Sequence, residues 1–142
     1  MEKTSQLTQA LTPENIDSFR ARGFLRIGPL LDGETLSTLR DEYDRIFDEA
    51  RESNQFRNLA ISDTEDLDAK IDAPEQMLQI MQVCERSMAF RQLVYDARIL
   101  DIAEDLIGPN IQLFHDQALS KPAHHGGAVF WHQDNAYWRC HP

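Results

Sequence analysis

The chain has 142 residues, and its 14 Lys and Arg stand against 24 Asp and Glu, a formal net charge of −10. This length suits one domain, 1–142, with a modest core, and the acidic balance argues against a nucleic-acid or anionic-membrane partner, which would need clustered positive charge. Mean hydropathy is −0.50, no apolar run approaches the ~20 residues of a membrane span, and the opening Met1-Glu2-Lys3-Thr4-Ser5-Gln6 has no apolar signal core, so a cytoplasmic location is expected.

Residues 1–10 are polar and read as loose. A helix is predicted to start with Thr12 as its N-cap, Pro13 at the first helical position and Glu14 in the first turn. Ile16 and Phe19 share a face, and Gly23 is placed to end it. Phe24-Leu25-Arg26-Ile27 reads as a short strand ended by Gly28-Pro29. Asp32 then caps a second helix, whose apolar stripe is Leu36, Leu39, Tyr43, Ile46, Phe47 and Ala50. Its other face, Arg40, Asp41, Asp44 and Arg45, is a solvated surface. Residues 51–75 are polar and weakly periodic, a long surface loop of a kind uncommon in a compact domain unless it has a function or moves.

Residues 76–83 fit either a strand or a helix start, and 87–95 fit a short helix. Asp96 precedes another helix, with Ile99, Leu100, Ile102, Ala103, Leu106 and Ile107 on its buried side and Gly108-Pro109 as its stop. From Ile111 to Lys121 the pattern alternates as in a strand, placing Ile111, Leu113, His115, Gln117, Leu119 and Lys121 on one face. A turn at His124-His125-Gly126-Gly127 leads to a second strand over Ala128–Tyr137. Helices first and strands last point to an α+β fold.

All five histidines lie at or beyond His115, so metal or acid–base chemistry belongs to the C-terminal end. The two cysteines, Cys84 and Cys140, suit a reducing compartment better than a disulfide framework, and Cys84 reads as a small core residue. His124 and His125 are expected in solvent. The densest signal is Phe130-Trp131-His132-Gln133-Asp134-Asn135-Ala136-Tyr137-Trp138. In a strand, residues two apart point the same way, so His132 and Asp134 would bring an imidazole and a carboxylate to one point. Two such ligands with open positions opposite suit iron(II) in non-haem oxygenases. A bare His-x-Asp is also a common surface hydrogen-bonded pair.

Context separates these readings. Lys121-Pro122, His125-Gly126-Gly127, Trp131-His132-Gln133-Asp134 and Tyr137-Trp138 together resemble the phytanoyl-CoA dioxygenase family. So do Thr12-Pro13-Glu14, Arg22-Gly23-Phe24, and Leu106-Ile107-Gly108-Pro109 before Leu113-Phe114-His115-Asp116, so that the resemblance covers most of residues 12–142. It implies helices packed on a double-stranded β-helix, a jelly-roll or cupin-like core. It further implies an oxidoreductase: an iron(II)/2-oxoglutarate dioxygenase that uses O2, hydroxylates an aliphatic small molecule and releases succinate and CO2. By resemblance His132 and Asp134 are metal ligands. Lys121 matches a position near the co-substrate carboxylates, where a local cation is needed in an acidic protein; a plain surface lysine is the competing reading. Gln117 lines the site or bonds backbone at the edge of the core. Tyr137 and Trp138 wall the substrate pocket or simply fill core, and His115 supports the site or the fold rather than binding metal. Related halogenases lack the carboxylate, so Asp134 points to hydroxylation.

The family's second histidine and its 2-oxoglutarate-binding arginine lie well downstream of the His-x-Asp pair, and His141 is too close to be that histidine. A β-helix core of about eight strands is therefore expected to be incomplete here, the chain being the N-terminal portion of such a domain. The alternative is a truncated, non-catalytic remnant or assembly module that associates through its unfinished sheet edge. A zinc site from His124, His132, Cys140 and His141 matches no usual spacing.

Overall fold

A computed structural model describes residues 11–61, 72–74, 76–136 and 138. It contains helices α1 (Pro13–Arg22), α2 (Gly33–Glu52), α3 (Val83–Arg86), α4 (Met88–Val94) and α5 (Ala97–Ile107), and strands β1 (Arg57–Asn58), β2 (Leu78–Met81) and β3 (Gln117–Ser120). The strands form one sheet in the order β1-β2-β3, with β1 antiparallel to β2. Helices with a small sheet make the fold α+β. Among the described residues no helix is long and apolar enough to cross a membrane.

The chain divides into two compact units, one of residues 1–55 and 80–118, the other of residues 56–79 and 119–142. The first is helical and owes its helices to local chemistry. Thr12 caps α1 through a reciprocal box with Asn15, and Pro13 occupies the first turn, where the missing N–H costs nothing. Gly23 ends α1 at φ 76° while its N–H reaches Phe19 O at 2.8 Å; this left-handed backbone is where glycine is favoured. Asp32, Ser87 and Asp96 cap α2, α4 and α5 through their side chains.

The stripe of α2 supplies much of this unit's core, with Leu39, Ile46, Phe47 and Ala50 buried beside Ile80, Val83, Ile102 and Ala118. Tyr43 is half-buried and packs its ring on Phe47 at 4.6 Å, whereas Leu36 is exposed. Arg40, Asp41 and Asp44 face solvent as expected. Arg45 does more: it grips both oxygens of Glu42 at 3.0 and 2.8 Å, pairs with Glu49 at 2.7 Å and reaches Arg86 O. Ser87 adds its hydroxyl to Glu42 at 2.5 Å, so the cluster ties α2 to the start of α4. The Arg45 guanidinium, and after it the Ser87 hydroxyl, hold the Glu42 carboxyl down at about 2.

Several elements differ from the sequence expectation. Residues 24–27 alternate between exposed and half-buried as a strand would, yet form no strand, and Phe24 stays exposed. Alternation prescribes an extended backbone, but a strand also needs a partner for its N–H and C=O groups. The ambiguous segment 76–83 becomes β2 and the first residue of α3, separated by Gln82 at φ 56°. Asp116 secures that corner, accepting from Gln82 N at 2.8 Å and from Cys84 N at 2.9 Å. Of the strand expected from Ile111, only Gln117–Ser120 joins the sheet. On α5, Ile102 is buried but Ile107 is exposed, because the stripe runs past the end of its packing.

In the second unit, backbone and amide contacts join segments distant in sequence. Inside the expected 51–75 loop, α2 runs on to Glu52 and Arg57–Asn58 pairs with β2. Phe56 and Asn58 are both buried. Asn58 Oδ1 accepts from Ala60 N at 3.1 Å and Met77 N at 2.9 Å, which satisfies a polar group that would otherwise be costly to bury. Residues 62–71 of that loop, and Glu75, lie outside the described residues.

Candidate functional site

Among the described residues, the strand expected over Ala128–Tyr137 is not present. Residues 127–133 belong to no strand, and Asp134–Ala136 is a 3-10 turn closed by Ala136 N to Gln133 O at 3.0 Å and Trp138 N to Asp134 O at 2.8 Å. The helical turn places Asp134 on backbone that strand alternation does not describe. The two side chains nevertheless converge, with His132 Nε2 3.5 Å from Asp134 Oδ1. That is longer than a good hydrogen bond and close enough for both atoms to face one ion.

The His132 ring is oriented by its own chain. Nδ1 lies 2.7 Å from the carbonyl oxygen of Phe130. A carbonyl oxygen only accepts, so Nδ1 carries the hydrogen, and in the neutral ring Nε2 then has the lone pair. Metal-ligating histidines are commonly fixed in this way, by a donated bond from the other nitrogen. Both side chains are accessible, His132 at 42% and Asp134 at 81%, so an ion could reach them. One imidazole nitrogen of the correct tautomer and one carboxylate oxygen fit two ligands of a hard or borderline divalent ion such as iron(II). Among the described residues no group of three or more His, Cys, Asp or Glu side chains could hold a metal by itself.

Lys121 follows β3 and is exposed. The turn after it spans residues 123–125, with His124 at φ 67° and both His124 and His125 in solvent, as expected. Gln76 clamps the end of that turn: its N–H donates to His125 O at 2.8 Å, its carbonyl accepts from Gly127 N at 3.1 Å, and it forms a parallel bridge with Gly126. No signal marked Gln76, since its partners lie far away in sequence. The Phe130 carbonyl could have been found from its position two residues before His132.

The remaining expected site residues are more scattered. Gln117 is exposed and His115 half-buried, both in the helical unit. The face they share with Leu119 and Lys121 is turned largely to solvent at Gln117, Leu119 and Lys121, while Ala118 is buried. Trp138 is exposed, and Tyr137, Cys140 and His141 lie outside the described residues. Cys84 is half-buried rather than core, and its thiol is pushed up, first by its hydrogen bond to Asp116 and then by burial. The helical unit also has a cleft of about 320 Å³ beside Thr35, Thr38, Gln92, Asp96 and Arg98. Two of the charges lining it are paired with each other, Arg98 to Asp96 at 2.5 Å.

The sequence pattern of the family described as Phytanoyl-CoA dioxygenase (PhyH) matches residues 19–142. The chain belongs to this family. It is similar to ectoine dioxygenase of Halomonas elongata, with 25% identity over 130 residues that span 92% of this chain and 36% of that protein. Ectoine dioxygenase of Streptomyces avermitilis is 20% identical over 130 residues, 92% of this chain and 41% of that protein. The chain thus spans well under half the length of the curated relatives it matches. No solved structure matches it. The matched stretch includes Lys121, Gly126 and the His132–Asp134 pair but not the N-cap of α1.

Proposed function

We propose that this chain is the metal-binding N-terminal portion of an iron(II)/2-oxoglutarate-dependent dioxygenase that hydroxylates an aliphatic small molecule with O2, releasing succinate and CO2. The observation that carries this reading is the approach of His132 Nε2 to Asp134 Oδ1 at 3.5 Å, with Nδ1 held by Phe130 O. Membership of the phytanoyl-CoA dioxygenase family supports it, and the two relatives named for ectoine favour a small-molecule substrate.

In this reading His132 and Asp134 are two ligands of the iron, which when bound supplies the activation of O2 that side chains lack. Phe130 O keeps the imidazole in the ligating tautomer. The Lys121 ammonium attracts a carboxylate of the dianionic co-substrate, offsetting the repulsion of an acidic protein. Trp138 borders the substrate. A third ligand and the arginine for the far carboxylate come from outside this chain, as do the further strands that complete a jelly-roll core on the small sheet. The protein works in the cytoplasm on a small molecule, away from nucleic acid and membrane.

The test is His132→Ala and Asp134→Ala in the intact protein expressed from its gene. Both variants are expected to lose Mn(II) binding, measured by electron paramagnetic resonance, together with substrate-coupled consumption of 2-oxoglutarate. Retention of coupled turnover by His132→Ala would refute the assignment.

A further inference from the structure

We propose that Gly126 is a positioning residue for Lys121, and that its missing side chain makes the slot in which the lysine stem lies. The proposal deepens the functional reading above and rests on Lys121 being the co-substrate cation. A Cβ built on Gly126 would sit no farther than 3.0 Å from Lys121 Cγ, Cδ and Cε. Three consecutive stem carbons therefore run across the Gly126 backbone. Real Cβ atoms do not tolerate such contacts, since overlap at this range is steeply repulsive.

The position requires space and not an unusual backbone. Gly23 and Gly108 are the described glycines with positive φ, and Gly126 is not among them. Alanine at 126 is therefore acceptable to the main chain, and the three nearest atoms its Cβ would meet all belong to Lys121. Nor can the turn easily yield, because Gln76 holds it from both sides through His125 O and Gly127 N. Relief must come from the lysine. The clash begins at Cγ, so it cannot be escaped by moving the tip. Rotation about the first side-chain bonds is needed, which swings the ammonium to a different rotamer well and a different place. The slot thus converts a flexible four-carbon stem into a directed one and lowers the rotamer entropy lost when the ammonium meets a carboxylate.

The experiment measures 2-oxoglutarate affinity of the Mn(II)-loaded intact protein by calorimetry for Gly126→Ala, Lys121→Met, Lys121→Ala and the double variant Lys121→Ala/Gly126→Ala. Lys121→Met is expected to weaken binding by roughly 10- to 100-fold, the loss of one charge-assisted contact, and Gly126→Ala by about tenfold as the ammonium is displaced. In the Lys121→Ala background, Gly126→Ala should add nothing, because no stem remains to displace. An independent loss there would assign Gly126 a merely structural role and overturn the proposal. Full affinity in Gly126→Ala alongside weakened Lys121→Met would overturn it while leaving the Lys121 reading intact. Full affinity in Lys121→Met would remove the reading itself. Should Gly126→Ala fail to fold, recovery of folding in the double variant supports the proposal, and failure of both variants to fold refutes it.

Discussion

The helical unit and the stretch from Lys121 to Trp138 solve different problems. In the first, side chains hold the structure: capped helix ends, a buried stripe on α2, and an Arg45–Glu42–Ser87 cluster that joins two helices. In the second, backbone groups of His125, Gly127, Gln133 and Asp134 are bonded, and large side chains are left outside, with Phe130 at 83% and Trp131 at 104% exposure. Stability should therefore be concentrated in one region and chemistry in the other. Functional groups are commonly carried by loops on a scaffold that supplies the folding energy.

Substitutions can break that division. The largest effect expected is from Phe47→Ala, which removes a core ring of 3% exposure and should cost about 3–5 kcal/mol in denaturant unfolding. The metal affinity of the molecules that remain folded should not change. His132→Ala should do the reverse. Loss of a supporting partner can cost roughly 100-fold in metal affinity, and loss of a ligand should cost at least as much, with little change in the unfolding midpoint because the ring is accessible. If His132→Ala proved as destabilising as Phe47→Ala, the separation of roles would be wrong.

Thr12→Ala removes the hydroxyl that accepts from Asn15 N at 3.3 Å and should cost about 1 kcal/mol, measured as a shift in the unfolding curve with metal binding untouched. The smallest effect is one of pH. Because Glu42 is held from its ordinary 4.5 down to about 2, its contribution is complete above the ordinary value and is lost as pH falls through the lowered one. Glu42→Gln should be the less stable protein at neutral pH, and the difference should close between pH 4.5 and 2. A difference that widened in acid would show that Arg45 and Ser87 do not favour the ionised carboxyl.

The nature of each interaction explains what could be read in advance. Thr12, Asp32 and Asp96 bond to backbone within three residues, so a short window of sequence contains both partners. The α2 stripe was legible for the same reason, its period being a property of one helix. Leu36 and Ile107 were assigned to the interior and are exposed, because periodicity names a face without saying where its neighbour stops. The His-x-Asp pair is instructive in another way. Strand alternation was the reason to expect convergence, yet the side chains meet where an extended segment enters a 3-10 turn. The two side chains approach each other, but not on the backbone expected to bring them together.

By itself the sequence determined what is local: the caps and stops of α1, α2 and α5, the apolar face of α2, and the chemical identity of an imidazole and a carboxylate one residue apart. Tertiary structure alone decided which extended segments became strands, that Gln76 would clamp the turn after Lys121, and that Gly126 would lie beneath the lysine stem. A helix satisfies its backbone within itself, whereas extended chain and close backbone approach depend on partners brought together from distant positions.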